Sequence, residues 1–362
     1  MDPVIIAYYL PQYYPFKENN EWWGEGFTEW TNVGKAKSLF RGHYQPKVPA
    51  DLGYYDLRLP EIKQKQVDLA KEAGVTAFCY WHYWFGNGRV LLERPLEDIL
   101  KVGEPDFPFC LGWANESWKS KVWNTENSDL DKILMEQQYP GEDDIIKHFI
   151  YVKKAISDRR YLRIDDRPVF VVYKPFLHPD IKNFILRWNM LIKKAGIANS
   201  FFFIAHTVDS SEINVLLKMN FDAVNIVRTG EYRFNKRVIS QIPFQLFKYK
   251  CCNQPLKLDY SFISKYFIQQ QDVMENVFPT LIPNWDHTPR SGKHGVVFHN
   301  STPELFKKHV LAALNIIQNK NPNYQILFLK SWNEWGEGNY MEPDLKFGKG
   351  YIKALKDALL NF

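Results

Sequence analysis

The sequence predicts an α/β protein in which residues 1–362 form one (β/α)8 TIM barrel domain. Three observations predict this fold. Eight short apolar runs recur along the chain, amphipathic helical patterns separate them, and each run is apolar almost throughout, as is typical of parallel strands covered on both faces. The runs begin at Val4, Val75, Phe107, Pro168, Ser200, Phe221, Thr280 and Gln325.

The helical patterns between the runs carry end signals. Patterns starting at Leu59 and Pro179 close with Gly74 and Gly196, and a third starts at Thr302, which precedes a proline as helix caps often do. Strands that alternate with such helices predict a parallel sheet.

The main competing fold is an open doubly wound sheet, which usually carries a glycine-rich turn after its first strand. Here the first run continues into LPQYYPF, which lacks such a turn. We therefore favour the barrel. Long segments after strand one (residues 12–55) and strand three (residues 114–141) then predict extended loops at the C-terminal face, where barrel active sites lie.

Composition excludes several classes of protein. Charged residues make up 24% and hydrophobic residues 45%, which excludes a largely disordered chain. The 46 Lys and Arg residues exceed the 41 Asp and Glu residues only slightly and are dispersed, so we expect no nucleic-acid partner. No apolar run approaches the roughly 20 residues of a spanning helix, so we expect no integral membrane segment.

The cellular location of the protein is predicted from its cysteines and from the first residues of the sequence. Cys79 and Cys110 lie in predicted interior strands, whereas Cys251 and Cys252 are neighbours, so we expect reduced thiols. The first apolar run is too short for a signal peptide and lacks its basic start. These features predict a cytoplasmic protein, with a trimmed export signal as the alternative.

Aromatic residues make up 16% of the chain, with 12 Trp, and many stand beside Asn, Glu, His or Gly. Aromatic faces among hydrogen-bonding groups suit hydroxyl-rich ligands, so the pattern favours an oligo- or polysaccharide partner. The alternative interpretation is an aromatic-rich core.

Two carboxylates follow the eighth strand in the segment SWNEWGEG. We predict that Glu334 and Glu337 face one cleft, because glycosidic cleavage commonly uses one ionised and one protonated carboxyl group. Trp332 and Trp335 are predicted to wall the cleft and to raise the pKa of one acid. The alternative is a loop whose acids cap the final helix.

Further candidates follow the other strands. Strand alternation puts Tyr80, His82 and Trp84 on one face of strand two and Trp81 and Tyr83 on the other. We select His82 to orient a carboxylate or a sugar hydroxyl, with a purely structural histidine as the alternative. The predicted substrate-binding residues are Tyr9, Trp30, His82, Trp84, Trp113, Asn115, Glu116, Tyr173, Lys174, His206, Trp285, Asp286, Arg290, Trp332, Asn333 and Trp335.

Other chemistries have little support in the sequence. HxH, HExxH and CxxC spacings are absent, so we predict no metal site and no cofactor. There is also no GxSxG nucleophile motif. The triplet Asp129-Leu130-Asp131 matches one that nucleotide-sugar transferases use to hold a metal, but acids before a helical pattern are more simply explained by the helix N-terminus.

Several segments together resemble a known family. They are GFTEWTNV from Gly26, FCYWHYWF from Phe78, FPFCLGWANESW from Phe107, NWDHTPR from Asn284 and SWNEWGEGNYMEPD from Ser331. The chain resembles the WbsX-like glycosyltransferases, which are related to glycoside hydrolase family 99, the endo-α-mannosidase and endomannanase group. The resemblance covers nearly the whole chain and implies a (β/α)8 barrel that needs no metal for hydrolysis.

The resemblance also implies roles for the acid pair. Glu334 would act as the base on the sugar 2-hydroxyl, giving a 1,2-anhydro intermediate, and Glu337 as the general acid/base. The predicted function is a retaining, endo-type glycoside hydrolase acting on α-linked, mannose-like polysaccharide. The alternatives are a glycosyltransferase in lipopolysaccharide O-antigen or capsule biosynthesis, and a non-catalytic carbohydrate-binding barrel.

Overall fold

Eight parallel strands close into a barrel in the computed structural model, which describes residues 2–120, 132–231, 243–244, 247–360 and 362. Each strand pairs with the next, and β8 closes on β1, where Val4 lies opposite Ile326. The predicted barrel is confirmed. Its strands are β1 Val4–Tyr9, β2 Ala77–Trp84, β3 Phe109–Trp113, β4 Arg167–Val172, β5 Phe202–Thr207, β6 Ala223–Ile226, β7 Val277–Leu281 and β8 Ile326–Leu329.

Seven of the eight strands begin within two residues of the predicted position. The exception is β7, which begins at Val277 rather than at Thr280. Pro279 interrupts the apolar run there, and proline is unusual inside a strand, so the sequence pattern placed the strand too late.

Helices cover the outside of the barrel and also lie in its long loops. The three helices predicted most clearly are present as α3, α6 and α10, and the Thr302 hydroxyl caps α10 by accepting from the Leu305 N–H at 3.3 Å. The helices are α1 Lys17–Trp23, α2 Glu29–Lys35, α3 Pro60–Ala73, α4 Arg94–Val102, α5 Glu142–Ile156, α6 Ile181–Lys194, α7 Ile213–Leu217, α8 Tyr260–Ile263, α9 Thr288–Ser291, α10 Pro303–Ile317 and α11 Gly350–Leu359.

Large side chains fill the inside of the barrel. The rings of Tyr8 and Trp81 stack with centroids 4.5 Å apart, and the Tyr8 hydroxyl donates to Asn225 Oδ1 at 2.9 Å. Side chains that alternate with these point outward into the helix layer, where Phe170 packs on Trp188 of α6. Because the barrel is filled, a ligand site has to lie above the C-terminal ends of the strands.

Both predicted long loops are present. The loop after β1 carries α1 and α2. In the loop after β3, Trp118–Lys119 pairs with Ile133–Met135, and the Asp129-Leu130-Asp131 triplet lies outside the described residues.

Two further findings concern the thiols and the membrane. Cys79, Cys110, Cys251 and Cys252 are free thiols, the first two buried and the last two exposed. Within the described parts of the chain, none of the helices combines the length and apolar character needed to cross a membrane.

Candidate active site

The acid pair lies in a short loop that leaves the top of β8. Asn333–Glu334 pairs with Asn339–Tyr340 as a small hairpin, and Trp335–Glu337 forms the 3-10 turn between them. Gly338 closes this turn with φ +57, a left-handed conformation that L side chains rarely adopt. We call residues 333–340 the acid loop.

Arg290 joins three carboxylates at the acid loop. Its Nη1 donates to Glu337 Oε1 at 2.7 Å, and its Nη2 donates to Glu334 Oε1. From the other side, Glu29 at the start of α2 accepts from Arg290 Nε at 3.2 Å. The side chains of Glu334 and Glu337 retain 9% and 16% of their exposure, so both carboxyl groups are largely enclosed but reachable from the barrel top.

Charge and burial act against each other at this cluster. Burial, with the charges of Glu337 and Glu29, raises the pKa of Glu334 to about 8, although the Arg290 guanidinium opposes this rise. One guanidinium does not neutralise three carboxylates, so the coupled pair of Glu334 and Glu337 keeps one proton at neutral pH.

The close approach of α2 to the acid loop depends on Gly336. A Cβ atom at this position would lie 2.1 Å from Glu29 Oε2 and 2.9 Å from Arg290 Nε. Any side chain there would push Glu29 away from Arg290. Within its sequence motif, this glycine therefore has a packing role.

Hydrogen bonds to the first loop of the chain fix the hairpin. Leu10 and Asn333 exchange two of them, at 2.8 Å and 3.0 Å. The Tyr13 hydroxyl donates to the Asn333 carbonyl at 2.6 Å and accepts from the Trp335 N–H at 3.1 Å. Asn333, predicted to bind substrate, is fully buried and instead positions the acid loop.

Asp286, another predicted substrate ligand, also has a positioning role. Its carboxylate accepts from His43, Gln45 and Thr288. Burial acts to raise its pKa, but the His43 hydrogen bond and the Lys47 charge hold that pKa below the usual range. Its backbone N–H donates to the Glu337 carbonyl at 2.7 Å. The loop after β7 is thereby fastened to the acid loop.

The predicted tryptophan wall is corrected by the structure. Trp332 and Trp335 are fully buried, so they cannot form the wall of an open cleft. Trp335 stacks on Tyr340 with centroids 3.7 Å apart and donates from Nε1 to Glu342 Oε2 at 2.6 Å. The hairpin packs over these two tryptophans, which therefore support the acid loop on its buried side.

The choice of face on β2 was wrong. His82 Nε2 lies 2.8 Å from His148 Nε2 of α5, and the Trp84 ring stacks on His148, so both side chains lie outside the barrel. Burial lowers the pKa of His82 to about 3. The opposite face reaches the site. Trp81 lies inside the barrel, and burial, followed by the nearby charge of Glu334, raises the pKa of Tyr83.

Two other predicted ligands also face outward. Trp113 packs on Phe184 of α6, while its neighbour Gly112 faces Trp81 inside the barrel. The Tyr9 hydroxyl donates to Gln66 of α3 at 2.7 Å. Neither Trp113 nor Tyr9 is placed to contact a ligand above the strands.

Tyr173 and His206 do lie below the acid loop. Their ring centroids are 4.8 Å apart, and burial raises the pKa of Tyr173, with smaller contributions from the charges of Glu337 and Glu334. His206 is buried with no partner on Nδ1, and burial lowers its pKa to about 3. Together with Tyr8 and Trp81 they form an aromatic floor under the acids.

The remaining predicted residues lie around the rim. Asn115 is buried and bonds the Lys174 backbone, so it shapes the loop, whereas Glu116 is close enough to raise the pKa of Tyr173. Trp30 and Trp285 are half-buried, with Trp30 5.6 Å from the Trp335 ring. The Lys174 ammonium lies 4.6 Å from the Tyr173 ring centroid.

Three residues near the acids were missed by sequence reasoning: Glu29, Tyr13 and Lys330. The charge of Lys330 slightly opposes the rise in the pKa of Glu334, and its ammonium lies 5.4 Å from the Trp285 ring centroid. Glu29 stands in the GFTEWTNV motif, which was the available signal. Among the described residues, no group of three or more His, Cys, Asp or Glu is arranged to hold a metal ion.

Comparison with solved structures supports the fold. The chain matches a glycoside hydrolase-like protein with a TM-score of 0.60 and 14% identity, covering 99% of this chain and 94% of the other. It matches the GH99 endo-α-mannosidase of Bacteroides thetaiotaomicron with a TM-score of 0.55 and 16% identity, covering 99% and 96%. At these identities the similarity concerns the fold alone.

Sequence comparison shows the family. The WxcX protein of Xanthomonas campestris pv. campestris strain ATCC 33913 is 32% identical over 365 residues, covering 98% of this chain and 49% of the relative. The same protein of strain B100 matches to the same extent, so the chain spans about half the length of these relatives. The family model described as glycosyltransferase WbsX matches residues 5–355. The chain therefore belongs to the WbsX glycosyltransferase family.

Proposed function

We propose that the protein is a retaining, endo-type glycoside hydrolase, which cleaves internal linkages of an α-linked, mannose-like polysaccharide. The observation that carries the proposal is the convergence of Glu334 and Glu337 on Arg290 above the aromatic floor. Two enclosed carboxyl groups that keep a proton at neutral pH are what glycosidic cleavage requires.

The proposed reaction follows the order implied by the family resemblance. In the reactive form the one proton of the pair lies on Glu337, and the ionised Glu334 takes the proton of the sugar 2-hydroxyl, whose oxygen attacks the anomeric carbon while the glycosidic bond breaks. Glu337 donates a proton to the departing oxygen. Glu337 then deprotonates a water molecule that opens the 1,2-anhydro sugar at the anomeric carbon, and Glu334 returns its proton to the 2-oxygen.

This chain's own residues favour those assignments in two ways. Arg290 contacts both carboxyl groups, so it stabilises whichever of them is ionised while a proton is held by the other. Glu337 is the more exposed acid, as suits a group that must meet both a leaving oxygen and water.

The family name favours a second candidate, a glycosyltransferase in surface-polysaccharide assembly, such as O-antigen or capsule biosynthesis. This enzyme would use the same cleft but pass the sugar to an acceptor hydroxyl instead of water.

One experiment separates the candidates. Purified protein is incubated with α-mannans and bacterial surface glycans, and new reducing ends are measured, while nucleotide sugars and lipid-linked sugars are titrated calorimetrically. Reducing ends without donor binding support hydrolysis. Donor binding without reducing ends supports transfer, and binding of oligosaccharide with neither result indicates a non-catalytic barrel.

A further inference from the structure

Exposed apolar side chains collect on one side of the barrel top. Strands β4, β5 and β6 are neighbours in the sheet, so the loops that follow them lie side by side at the C-terminal face. These loops carry large apolar residues that remain 46% to 58% exposed. They are Phe176, Leu177, Val208, Phe244 and Phe247. We call these five residues the apolar rim.

The two phenylalanines after β6 are the most exposed part of the apolar rim. Phe244 and Phe247 retain more exposure than any other phenylalanine among the described residues, and they stand three positions apart. Single exposed apolar residues are common, but a group of them in adjacent loops marks an interaction surface.

Lysines stand beside these phenylalanines. The Lys248 ammonium lies 4.3 Å from the Phe244 ring centroid, and the Lys293 ammonium lies 5.2 Å from the Tyr249 ring centroid. Within the described parts of the chain, no ion pair involves Lys248, Lys250 or Lys293. The sequence from 232 to 258 contains neither Asp nor Glu. Its basic residues are Arg233, Lys236, Arg237, Lys248, Lys250 and Lys257.

The acids of the neighbouring loops fix their own loops. Asp209 accepts from the Ser211 N–H at 2.8 Å, and Glu231 accepts from the Ser210 hydroxyl at 2.5 Å. Such hydrogen bonds leave the negative charges in place, so the positive part of this surface is the loop after β6.

The apolar rim lies next to the barrel mouth. Residues 247–251 are helical, and the Tyr249 hydroxyl lies 2.9 Å from His294 Nδ1 in the loop that follows α9. Arg290 of the acid cluster lies in α9. On the β4 side, the apolar rim begins shortly after Tyr173 of the aromatic floor. A surface that binds the apolar rim is therefore brought beside the candidate active site.

We propose that the apolar rim and the lysines beside it dock the C-terminal face of the barrel on an anionic lipid bilayer. Exposed phenylalanines enter the headgroup boundary of a bilayer, and lysines bind its anionic headgroups. A bilayer accepts side chains from three separate loops without a matching shape, whereas a protein partner needs a complementary surface. This peripheral binding needs no spanning helix. It goes beyond the proposed function, because it does not require the acid pair to be catalytic.

Co-sedimentation of the full chain with lipid vesicles tests the apolar part of the proposal. The wild type should bind vesicles of equal parts phosphatidylcholine and phosphatidylglycerol more tightly than phosphatidylcholine alone, and less tightly at raised salt. Phe244→Ser with Phe247→Ser should weaken this binding about tenfold or more. Leu186→Ser with Met190→Ser is the matched control, because these similarly exposed residues of α6 lie outside the apolar rim, and it should bind like the wild type.

A pair of charge reversals tests the lysines. Lys248→Glu with Lys250→Glu should weaken binding to the mixed vesicles about 25-fold or more, since each lysine near an anionic surface contributes roughly fivefold. Lys193→Glu with Lys194→Glu gives the same net charge but lies in the last turn of α6, at the other end of the barrel, and should lose far less affinity.

Two native cysteines report which face meets the bilayer. Cys251 and Cys252 are exposed and can carry an environment-sensitive fluorophore, whereas Cys79 and Cys110 are buried. The fluorophore emission should move to shorter wavelength on the mixed vesicles. No vesicle binding by the wild type, equal binding by rim variants and controls, or binding with unchanged emission would each overturn the proposal. Self-association that the double phenylalanine variant abolishes, without vesicle binding, would assign the apolar rim to a second copy of the chain instead.

Discussion

At the scale of single residues, the one proton held by the Glu334–Glu337 pair determines the expected pH dependence. The pKa of Glu334 is raised to about 8, and cleavage needs one proton on the acid pair. We predict that kcat/KM falls as pH rises through about 8, when the last proton of the pair is lost. A pH–rate profile checks this, and a rate that stays level well above pH 8 would contradict it.

Arg290 is the residue whose loss should change both stability and pH dependence. Arg290→Met leaves three carboxylates without their cation, so we predict a loss of about 3–5 kcal/mol in the free energy of unfolding. The alkaline limb of the rate profile should also move to higher pH, because the charge that lowers the pKa of Glu334 is gone.

Arg187→Met provides the matched control, because Arg187 pairs with Glu142 at the surface with about a third or more of each side chain exposed. Its loss should cost no more than about 1 kcal/mol in urea unfolding. Equal costs for the two variants would show that Arg290 does not hold the cluster together.

Individual site residues were only partly predictable from sequence. Glu334, Glu337 and Arg290 were selected because acids and polar groups follow strand ends. The position of Arg290 at the centre of the cluster could not be predicted, because it depends on Glu29, which is 261 positions away in the chain. Sequence spacing gives no information on contacts between such distant segments until the barrel is closed.

At the scale of elements, α2 and the acid loop meet at Gly336. We predict that Gly336→Ala lowers kcat/KM by at least tenfold, because the added Cβ would displace Glu29 and with it Arg290. Gly34→Ala is the control: Gly34 lies in α2 with open space around it, and alanine there should stabilise the helix by about 0.5–1 kcal/mol. Steady-state kinetics and thermal unfolding of both variants give the answer, and full activity of Gly336→Ala would reject this packing role.

Elements were predicted better than their orientation. Strand and helix positions followed from apolar runs and caps, but the faces of β2 were assigned the wrong way round. A parallel strand buried on both faces is apolar on both, so its sequence does not tell which side points into the barrel. The two outward-facing aromatic residues, His82 and Trp84, were therefore taken for ligands.

At the scale of the whole molecule, buried titratable groups set how stability depends on pH. Burial lowers the pKa of His82 and His206 to about 3 and of His309 to about 4, so the unfolded chain binds more protons below pH 6.5 and stability falls as pH falls. Burial raises the pKa of Glu342 to about 7 and of Glu334 to about 8, so the folded state holds protons that the unfolded state releases. We predict that the free energy of unfolding decreases between pH 6.5 and 8.

Glu342→Gln tests the origin of that decrease. Its side chain is buried among Trp335, Gln66 and Tyr55, and glutamine does not titrate there. We expect the variant to be less stable at every pH but to lose less stability than the wild type between pH 6.5 and 8. The slope of urea-unfolding free energy against pH is the readout, and identical slopes would exclude Glu342 as a cause.

Barrel closure is what assembles the site. It brings Tyr13 and Glu29 from the first loop against Asn333 and Glu334 from the last, which no local pattern predicts. The (β/α)8 architecture was predictable because it repeats along the chain, whereas the Arg290 cluster exists only once the ends meet.

The proposed role of Glu337 is tested by measuring the release of reducing ends from α-mannan by wild type, Glu337→Gln and Glu136→Gln. Glu136 is a surface acid that bonds only Gln138 among the described contacts, so Glu136→Gln should retain wild-type turnover. Glu337→Gln should release reducing ends about 100- to 10,000-fold more slowly than wild type, with its thermal unfolding retained. Equal turnover in all three proteins would contradict the assignment of Glu337 as the acid/base.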